Sequence, residues 1–409
     1  MKVKYFYSCL FVLIQQVAFA TQFTANQSTG IKPIIALAKA FDTIWVESGV
    51  YKEGNITIDK PLYFIGKNYP TIDGETKVEV ISIKSSFVTF TGFRIVNSGY
   101  ASLEDPCGIK VYQSENVTIS NNQLDNNFFG IYLQYSKNCE VKNNTITAYA
   151  IEEQQIGNGI HCWKSDSLQI IGNKIKGHRD GIYFEFVKHS IIWRNIAIGN
   201  IRYGLHFMFS NNDSYIGNVF KNNGAGVAVM YTNHVTMINN YFMDNWGDAA
   251  YGLLLKEISD SYISGNKFIS NTSGIYMEGT SRIIVEKNVF KDNGWGMKIQ
   301  ASCDDNQIYN NNFLTNTFDV STNGTLVLNT FNNNYWDRYS GYDLNKDKIG
   351  DVPYHPLSLF AVLVESTPSV MILFRSFFIG LLEKSEKIIP SLTPDNFIDN
   401  NPLMRPLTL

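Results

Sequence analysis

Glycine begins each unit of a repeat that runs from residue 108 to residue 297. An apolar, a variable and a second apolar residue follow each glycine, and successive glycines are 22, 29, 22, 23, 22, 26, 22 and 22 residues apart. The glycines are Gly108, Gly130, Gly159, Gly181, Gly204, Gly226, Gly252, Gly274 and Gly296. Short alternating segments at such a period are typical of a β-solenoid with one coil per repeat. The pattern therefore predicts an all-β protein, a right-handed parallel β-helix with coils of about 22 residues.

A second motif, Asn-x-apolar, keeps step with the glycines, for example at Asn122 and Asn240. Asparagine tolerates the left-handed backbone of tight corners, and its side chain can pair with its own copy in the next coil. We therefore assign the asparagines a structural role. Positions one and three after each glycine are predicted to point into the core, and positions two and four to point outward.

The two ends of the chain differ from the repeat. Residues 1–20 combine Lys2 and Lys4 with an apolar run and an Ala-Phe-Ala site, which predicts a signal peptide and a mature chain outside the cytoplasm. Residues 31–40 have a helical period and predict a short helix that caps the first coil. The predicted domains are a signal peptide at 1–20, a β-helix at 21–330 and a C-terminal capping or docking extension at 331–409, partly helical.

Composition narrows the classes of partner. The chain has 409 residues, 44% of them hydrophobic, so it can form a long core, and its net charge of -3 argues against nucleic acid as a partner. Cys107, Cys139, Cys162 and Cys303 remain after cleavage and have no C-x-x-C spacing, so the sequence specifies no disulfide. Cys162 is predicted to be a small core residue.

Two insertions frame a candidate binding face. They lie near residues 151–156 and 246–250, just before the glycine strand, and insertions on one face of a solenoid usually mark its binding face. The outward residues between them include His161, Glu185, His206, Met208 and Met230. Met208 and Met230 are expected about 4.8 Å apart on adjacent coils, with His206 about 6.6 Å from Met208 along its strand. Thioether sulfur with imidazole favours Cu(I), so we expect a transient copper contact here.

A structural alternative to copper binding is that the methionines pack beneath an insertion loop. The histidines outside this face are predicted to be solvated at turns; they are His178, His189, His234 and His355.

The apolar residues 369–382, with Arg375 among them, are too few to span a bilayer. They predict either a helix that caps the last coil or a helix that docks on a membrane partner. Helical spacing places the candidate docking residues Ile372, Phe378, Ile379 and Leu382 broadly on one side.

Residues 343–354 resemble part of a calcium loop. The oxygen ligands would be Asp343, Asn345, Asp347 and Asp351. Lys348 replaces the glycine of such loops, and Tyr354 replaces the bidentate glutamate. A structural turn rich in carboxylates is therefore favoured over a calcium site.

An enzyme that acts on polysaccharides is the main alternative class. Glycoside hydrolysis needs two carboxylates about 5–9.5 Å apart. Glu185 and Glu278 share a predicted column but should lie roughly 19 Å apart, and no Asp pair or Lys/Arg cluster occupies neighbouring outward positions. We therefore expect a protein that is not an enzyme, with a carbohydrate-binding or carbohydrate-processing β-helix as the alternative.

The mature chain resembles the NosD family over nearly its whole length. The resemblance rests on residues 42–55, 202–208 and 226–231, and above all on residues 334–354, which begin Asn-Tyr-Trp-Asp. It implies a periplasmic accessory protein that helps to assemble the copper centres of nitrous oxide reductase, an enzyme of denitrification. The implied partners are an inner-membrane ABC transporter, with its permease and ATPase, and a copper-chaperone lipoprotein. Lys348 departs from the glycine usual in the family's tail motif.

Overall fold

The computed structural model describes residues 20–100, 105–324, 328–388 and 397–409. The predicted signal peptide lies outside these residues except for Ala20. The described chain is a parallel β-helix, and every pairing between its named strands joins a coil to the next one in parallel. This confirms the predicted fold class.

Three sheets run along the solenoid. Sheet 1 contains Gln22–Ala25, Thr43–Val46, Tyr63–Gly66, Thr89–Thr91, Thr118–Ser120, Glu140–Lys142, Gln169–Ile171, Ile191–Trp193, Ser214–Ile216, Thr236–Ile238, Tyr262–Ser264, Ile284–Glu286, Asp304–Tyr309 and Leu328–Asn332. Sheet 2 carries the glycine repeats and contains Ile56–Ile58, Ile81–Ile83, Cys107–Tyr112, Phe129–Gln134, Ile160–Trp163, Ile182–Glu185, Tyr203–Met208, Ala225–Asn233, Tyr251–Ser259, Ser273–Glu278, Trp295–Ile299 and Phe318–Ser321. Sheet 3 contains Val50–Tyr51, Thr71–Asp73, Arg94–Val96, Gln123–Asp125, Thr145–Thr147, Lys174–Lys176, Ile196–Ile198, Val219–Lys221, Tyr241–Met243, Lys267–Ile269, Val289–Lys291, Asn312–Leu314 and Tyr335–Trp336.

Aromatic rings stack along the inside of sheet 3. The stack runs through Phe220, Phe242, Phe268, Phe290, Phe313 and Trp336, with ring centroids 4.2–5.6 Å apart. In sheet 2, the apolar positions one and three after each glycine are buried, as Ile109 and Val111 illustrate. The predicted inward positions are therefore confirmed, and the core is a set of continuous apolar columns.

Asparagine has two separate roles at the corners. The Asn-x-apolar asparagines form a buried column in which each amide group bonds the next, so Asn218 Nδ2 donates to Asn240 Oδ1 and Asn240 Nδ2 to Asn266 Oδ1, both at 3.0 Å. The left-handed backbone belongs to the preceding residue, such as Asn239 with φ 55°. The column ends at the buried carboxylate of Asp399, which accepts from Asn334 Nδ2 at 3.1 Å.

Helices cover both ends of the solenoid. The predicted N-terminal helix is confirmed as α1 (Lys32–Leu37), and the Glu53 carboxylate accepts the backbone amides of Ile31 and Lys32 at its start. At the other end, α2 (Leu359–Ser366) packs on the last strand of sheet 2, where the Ser321 hydroxyl donates to Glu365 Oε2 at 3.1 Å. Lys298 Nζ, on the preceding strand, lies 2.9 Å from the same oxygen. A 3-10 helix (Pro368–Leu373) and α3 (Phe377–Ile388) follow.

Asp213 is buried at the corner that leads into sheet 1, and this gives a pH prediction. Burial raises the pKa of its carboxyl from 3.8 to about 8, while the backbone amide of Ser190 donates to it at 2.6 Å. Because the folded pKa is raised, the folded state binds the proton more tightly, and stability should fall as the pH rises from about 4 to about 8. We expect Asp213→Asn to reduce this fall in stability. Urea unfolding across the same pH range measures it. An unchanged pH profile would contradict the assignment.

Candidate functional site

The predicted columns on the outer face of sheet 2 are confirmed by the strand register. Glu185 pairs with Met208, and Met208 pairs with Met230. The adjacent column holds Tyr183, His206 and Ala228 at the corresponding positions. Two thioethers on successive coils therefore stand beside an imidazole on the outside of the solenoid.

His206 is much less accessible than the sequence suggested. Its side chain points out of the solenoid but is only 6% exposed, because the rings of Tyr183 and Tyr203 each lie 4.9 Å away. Both of its ring nitrogens are buried without a hydrogen-bond partner, and the nearest carboxylate oxygen, Asp180 Oδ2, is 3.5 Å from Nδ1. His206 can therefore contact a ligand only if these tyrosine side chains move.

His161 does not share a site with His206, which corrects the predicted ligand set. The Tyr183 ring lies between the two imidazoles, 4.7 Å from His161 and 4.9 Å from His206. Burial, with a smaller effect from the Arg179 charge, lowers the pKa of His161 to about 3, and Asn158 Nδ2 lies 2.9 Å from its Nδ1. His161 is thus a neutral, internally bonded group.

The two methionines are half-buried, and Met208 lies beside Tyr183. The Tyr183 hydroxyl donates to Met208 Sδ at 3.8 Å, and burial raises the pKa of this tyrosine to about 12. Within the described ranges, no group of three or more His, Cys, Asp and Glu side chains could hold a metal ion. A soft metal on this face would therefore depend on the thioethers.

A charged cluster lies next to this face, and the sequence analysis missed it. The buried carboxylate of Asp180 is 3.8 Å from Nε of both Arg179 and Arg202, and Arg202 also lies 3.9 Å from Glu153 in the first insertion. The sequence analysis considered Lys/Arg clusters at the outward positions themselves and did not cover this one. It counted only positions after the glycines, whereas Asp180 directly precedes Gly181. Since Arg202 lies between the carboxylates of Asp180 and Glu153, each carboxylate is paired with a cation.

The remaining histidines and the cysteines have mixed surroundings. His178 is buried rather than solvated, and burial lowers its pKa to about 4. His189 and His234 are exposed, whereas His355 is partly buried. The four cysteines Cys107, Cys139, Cys162 and Cys303 are free and buried.

The C-terminal apolar segment is divided rather than continuous. Arg375, with φ 63°, separates the 3-10 helix from α3. Ile379 is only 2% exposed and Leu382 packs partly against the core, so these two residues do not belong to an exposed docking face. The exposed apolar residues, which we call the C-terminal apolar face, are Ile372, Leu373, Phe377, Phe378 and Leu381. Among the described helices, none has the length and apolarity needed to cross a membrane.

Residues 343–351 form a turn in which side-chain oxygens accept backbone amides. Asp343 Oδ2 accepts from the Lys348 amide at 2.9 Å, and Asp351 Oδ2 accepts from the Leu344 amide at 2.6 Å. Asn345 and Asp347 accept amides inside the same turn. These bonds explain the oxygen-rich sequence without an ion.

Protein-family models cover most of the solenoid. The model described as "Periplasmic copper-binding protein (NosD)" matches residues 148–345, and the one described as "Right handed beta helix region" matches residues 50–155. A "Probable ABC transporter binding protein NosD" from Pseudomonas aeruginosa is 29% identical over 86% of both chains. Its counterpart from Stutzerimonas stutzeri is 28% identical over 86% of this chain and 85% of its own.

Together these matches support a NosD-type protein. The region that matches the copper-binding family includes all five predicted copper residues, whereas the C-terminal apolar face lies beyond it. Both relatives are named as binding proteins of an ABC transporter, not as enzymes.

Solved structures share the fold at low identity. The Yersinia enterocolitica family 28 exopolygalacturonase has a TM-score of 0.55 at 11% identity and covers 79% of both chains. The Streptococcus pneumoniae adhesin PfbA has a TM-score of 0.54 at 14% identity, covering 71% of this chain and 94% of its own. Likeness at this level establishes the β-helix architecture and carries no statement about activity.

Proposed function

We propose that this chain is a periplasmic accessory protein that receives and releases copper while the copper centres of nitrous oxide reductase are assembled. In this role it works with an ABC transporter, through its permease and ATPase, and with a copper-chaperone lipoprotein. The family description and the names of the relatives support copper binding and transporter association. The reductase and the chaperone are proposed as partners because the sequence resembles the NosD family.

The observation that carries the proposal is the pairing of Met208 with Met230 on the outer face of sheet 2. Flanking positions of this column hold Glu185 and Lys256, so the column does not require apolar side chains. Two thioethers suit Cu(I) and leave it open to a third ligand. His206 can supply that ligand once Tyr183 and Tyr203 move, since its Nε2 has no other partner.

Weak binding suits a protein that must release copper. Two neutral sulfurs bring no charge to the ion, and Tyr183 already donates to one of them. Copper is therefore cargo here, and a partner that offers more ligands can remove it.

We expect Met208→Leu with Met230→Leu to reduce Cu(I) affinity by about tenfold or more, because leucine keeps the volume and removes the sulfur. Competition with a Cu(I) chelator measures the affinity, and the copper content of the reductase reports the effect on maturation. Met243→Leu, at a half-buried methionine on sheet 3, is the matched control. Unchanged affinity in the double variant would refute the proposed site.

The transporter is proposed to dock on the C-terminal apolar face. This face lies at one end of the solenoid, beside α2 and the last coil, whereas the methionine pair lies several coils away. The protein can therefore remain attached to the transporter through this face while the surface that carries the methionine pair stays open to copper partners.

A further inference from the structure

Tyr203 is one of the two rings that cover His206. Its ring centre lies 4.9 Å from that of the imidazole, and neither nitrogen of His206 has a hydrogen-bond partner among the described residues. A buried polar group without a partner is costly, because it gives up its bonds to water and gains none in return. The contacts that hold Tyr203 in place therefore decide whether His206 is accessible.

The fold does not need a tyrosine at this position. Tyr203 directly precedes Gly204, and the strand register pairs it with Ala225 in the next coil. Two coils further on, Ser273 has the same place before Gly274. Because small side chains are accepted here, Tyr203 is expected to have a role other than packing the solenoid.

Arg202 holds the Tyr203 ring and connects it to the first insertion. Its guanidinium lies 4.9 Å from the centre of the ring, within the range of a cation–π contact. Arg202 Nε is 3.8 Å from Asp180 Oδ1 and 3.9 Å from Glu153 Oε2. The backbone amide of Tyr203 also donates to Asp180 Oδ1, at 3.3 Å. The backbone at Tyr203 is therefore fixed, and only its side chain is free to turn.

The first insertion is only lightly attached to the solenoid. Among the described residues, two polar contacts join residues 151–155 to the rest of the chain. One is the ion pair between Glu153 and Arg202, and in the other the Tyr100 hydroxyl donates to the Gln154 carbonyl at 3.0 Å. All five residues of the segment are exposed, and an exposed ion pair is weak. The insertion can therefore leave Arg202 while the coils stay intact.

The other ring over His206 is held in a different way. Tyr183 lies between the rings of His161 and His206, and its hydroxyl donates to Met208 Sδ at 3.8 Å. A soft metal that takes this sulfur also breaks the bond that holds Tyr183. Tyr203 is held through Arg202 instead, so a metal at the methionines does not release it. Access to His206 thus depends on a second event, at the insertion.

We propose that the first insertion is a lid that controls whether His206 can join Met208 and Met230 as a third copper ligand. While Glu153 stays on Arg202, the tyrosine covers the imidazole and the site offers two thioethers. When the insertion moves away, the Tyr203 side chain turns outward and the site gains an imidazole, a ligand that suits copper. This inference rests on the proposed function and assigns the step that switches the site between releasing copper and holding it.

Chemical modification of histidine measures the lid without any metal. The probe is diethyl pyrocarbonate, which transfers its ethoxycarbonyl group to accessible imidazoles. Mass spectrometry gives the rate at His206, with the exposed His189 as the internal reference. Every protein compared carries Met208→Leu, which removes the sulfur that holds Tyr183 and leaves Tyr203 as the remaining cover.

We expect Tyr203→Ala to raise the rate at His206 by about tenfold or more, because an open state populated at about 10% or less becomes the main one. Glu153→Gln should raise this rate by about two- to fivefold, the range that an exposed ion pair can supply. Raising the salt from about 0.01 M to about 1 M shortens the Debye length from about 30 Å to about 3 Å. It should speed the modification when Glu153 is present and have no effect in Glu153→Gln.

The matched control is Glu152→Gln. Glu152 has the same charge one residue earlier and forms no ion pair with any residue that the structure describes. This control should react at His206 as fast as the protein that keeps both glutamates. An unchanged rate in Tyr203→Ala overturns the inference, and so do equal rates in Glu153→Gln and Glu152→Gln.

Copper affinity separates the lid from the proposed function. In the chain that keeps both methionines, Glu153→Gln should raise the affinity for Cu(I) by about two- to fivefold, measured by competition with a Cu(I) chelator. Weaker Cu(I) binding in Met208→Leu with Met230→Leu, but no change at His206 in the Tyr203 and Glu153 variants, would refute the lid and leave the methionine site standing. Faster modification in these two variants, with Cu(I) affinity untouched by the leucine substitutions, would refute the methionine site and leave the lid over His206 standing.

Discussion

Replacing Asn240 with alanine is expected to lower the free energy of unfolding by about 3–5 kcal/mol, because it breaks four buried hydrogen bonds at once. Asn240 Oδ1 accepts from the backbone N and the Nδ2 of Asn218, both at 3.0 Å. Its Nδ2 donates to the Tyr215 carbonyl at 2.9 Å and to Asn266 Oδ1 at 3.0 Å. Alanine has neither group, and the site is closed to water, so the orphaned partners lose their bonds without replacement.

Asn239→Gly is the matched control for this prediction. Asn239 is the neighbouring residue, but it supplies left-handed backbone with φ 55° rather than a ladder bond. Other coils have Gly217 and Gly265 at the same corner, so glycine should change stability little. Urea unfolding measures both variants. Equal losses of stability in the two variants would show that the hydrogen bonds of the asparagine column make no specific contribution to stability.

The sequence predicted the solenoid because its signal is local and repeated. The spacing of the glycines defines the strand register closely enough to predict that Met208 lies beside Met230, and the observed pairing of these residues confirms it. The asparagine motif predicted the column of paired side chains correctly. It also assigned the left-handed corner to the same residues, whereas the structure gives that conformation to the preceding position, as at Asn239 and Asn240.

The burial of the candidate site could not be predicted from positions after the glycines alone. Tyr203 and Asp180 each precede a glycine, and both lie against His206. Alternation along a strand shows which side of the sheet a residue faces. It does not show whether its neighbours cover it. A scan of the residue before each glycine would have found both side chains.

Contacts between residues far apart in the chain also could not be predicted from the sequence. Asp399 terminates the asparagine column by accepting from Asn334, 65 residues earlier, and nothing local marks that pairing. At residues 369–382 the apolar composition indicated one helix. The left-handed backbone of Arg375 instead divides it and turns Ile379 into the core while Phe377 and Phe378 remain outside.

Phe377→Ser with Phe378→Ser is expected to abolish co-purification with the membrane subunit of the ABC transporter. The two rings are 88% and 59% exposed, so their loss should hardly change the melting temperature of the isolated protein. At an interface, each buried aromatic residue can contribute about 2 kcal/mol or more. Ile379→Ala is the opposite control, because this side chain is only 2% exposed and its truncation should cost about 2–5 kcal/mol of stability. That variant should still bind the transporter at low temperature. If the serine variant stays bound while its melting temperature falls sharply, the segment only closes the end of the solenoid.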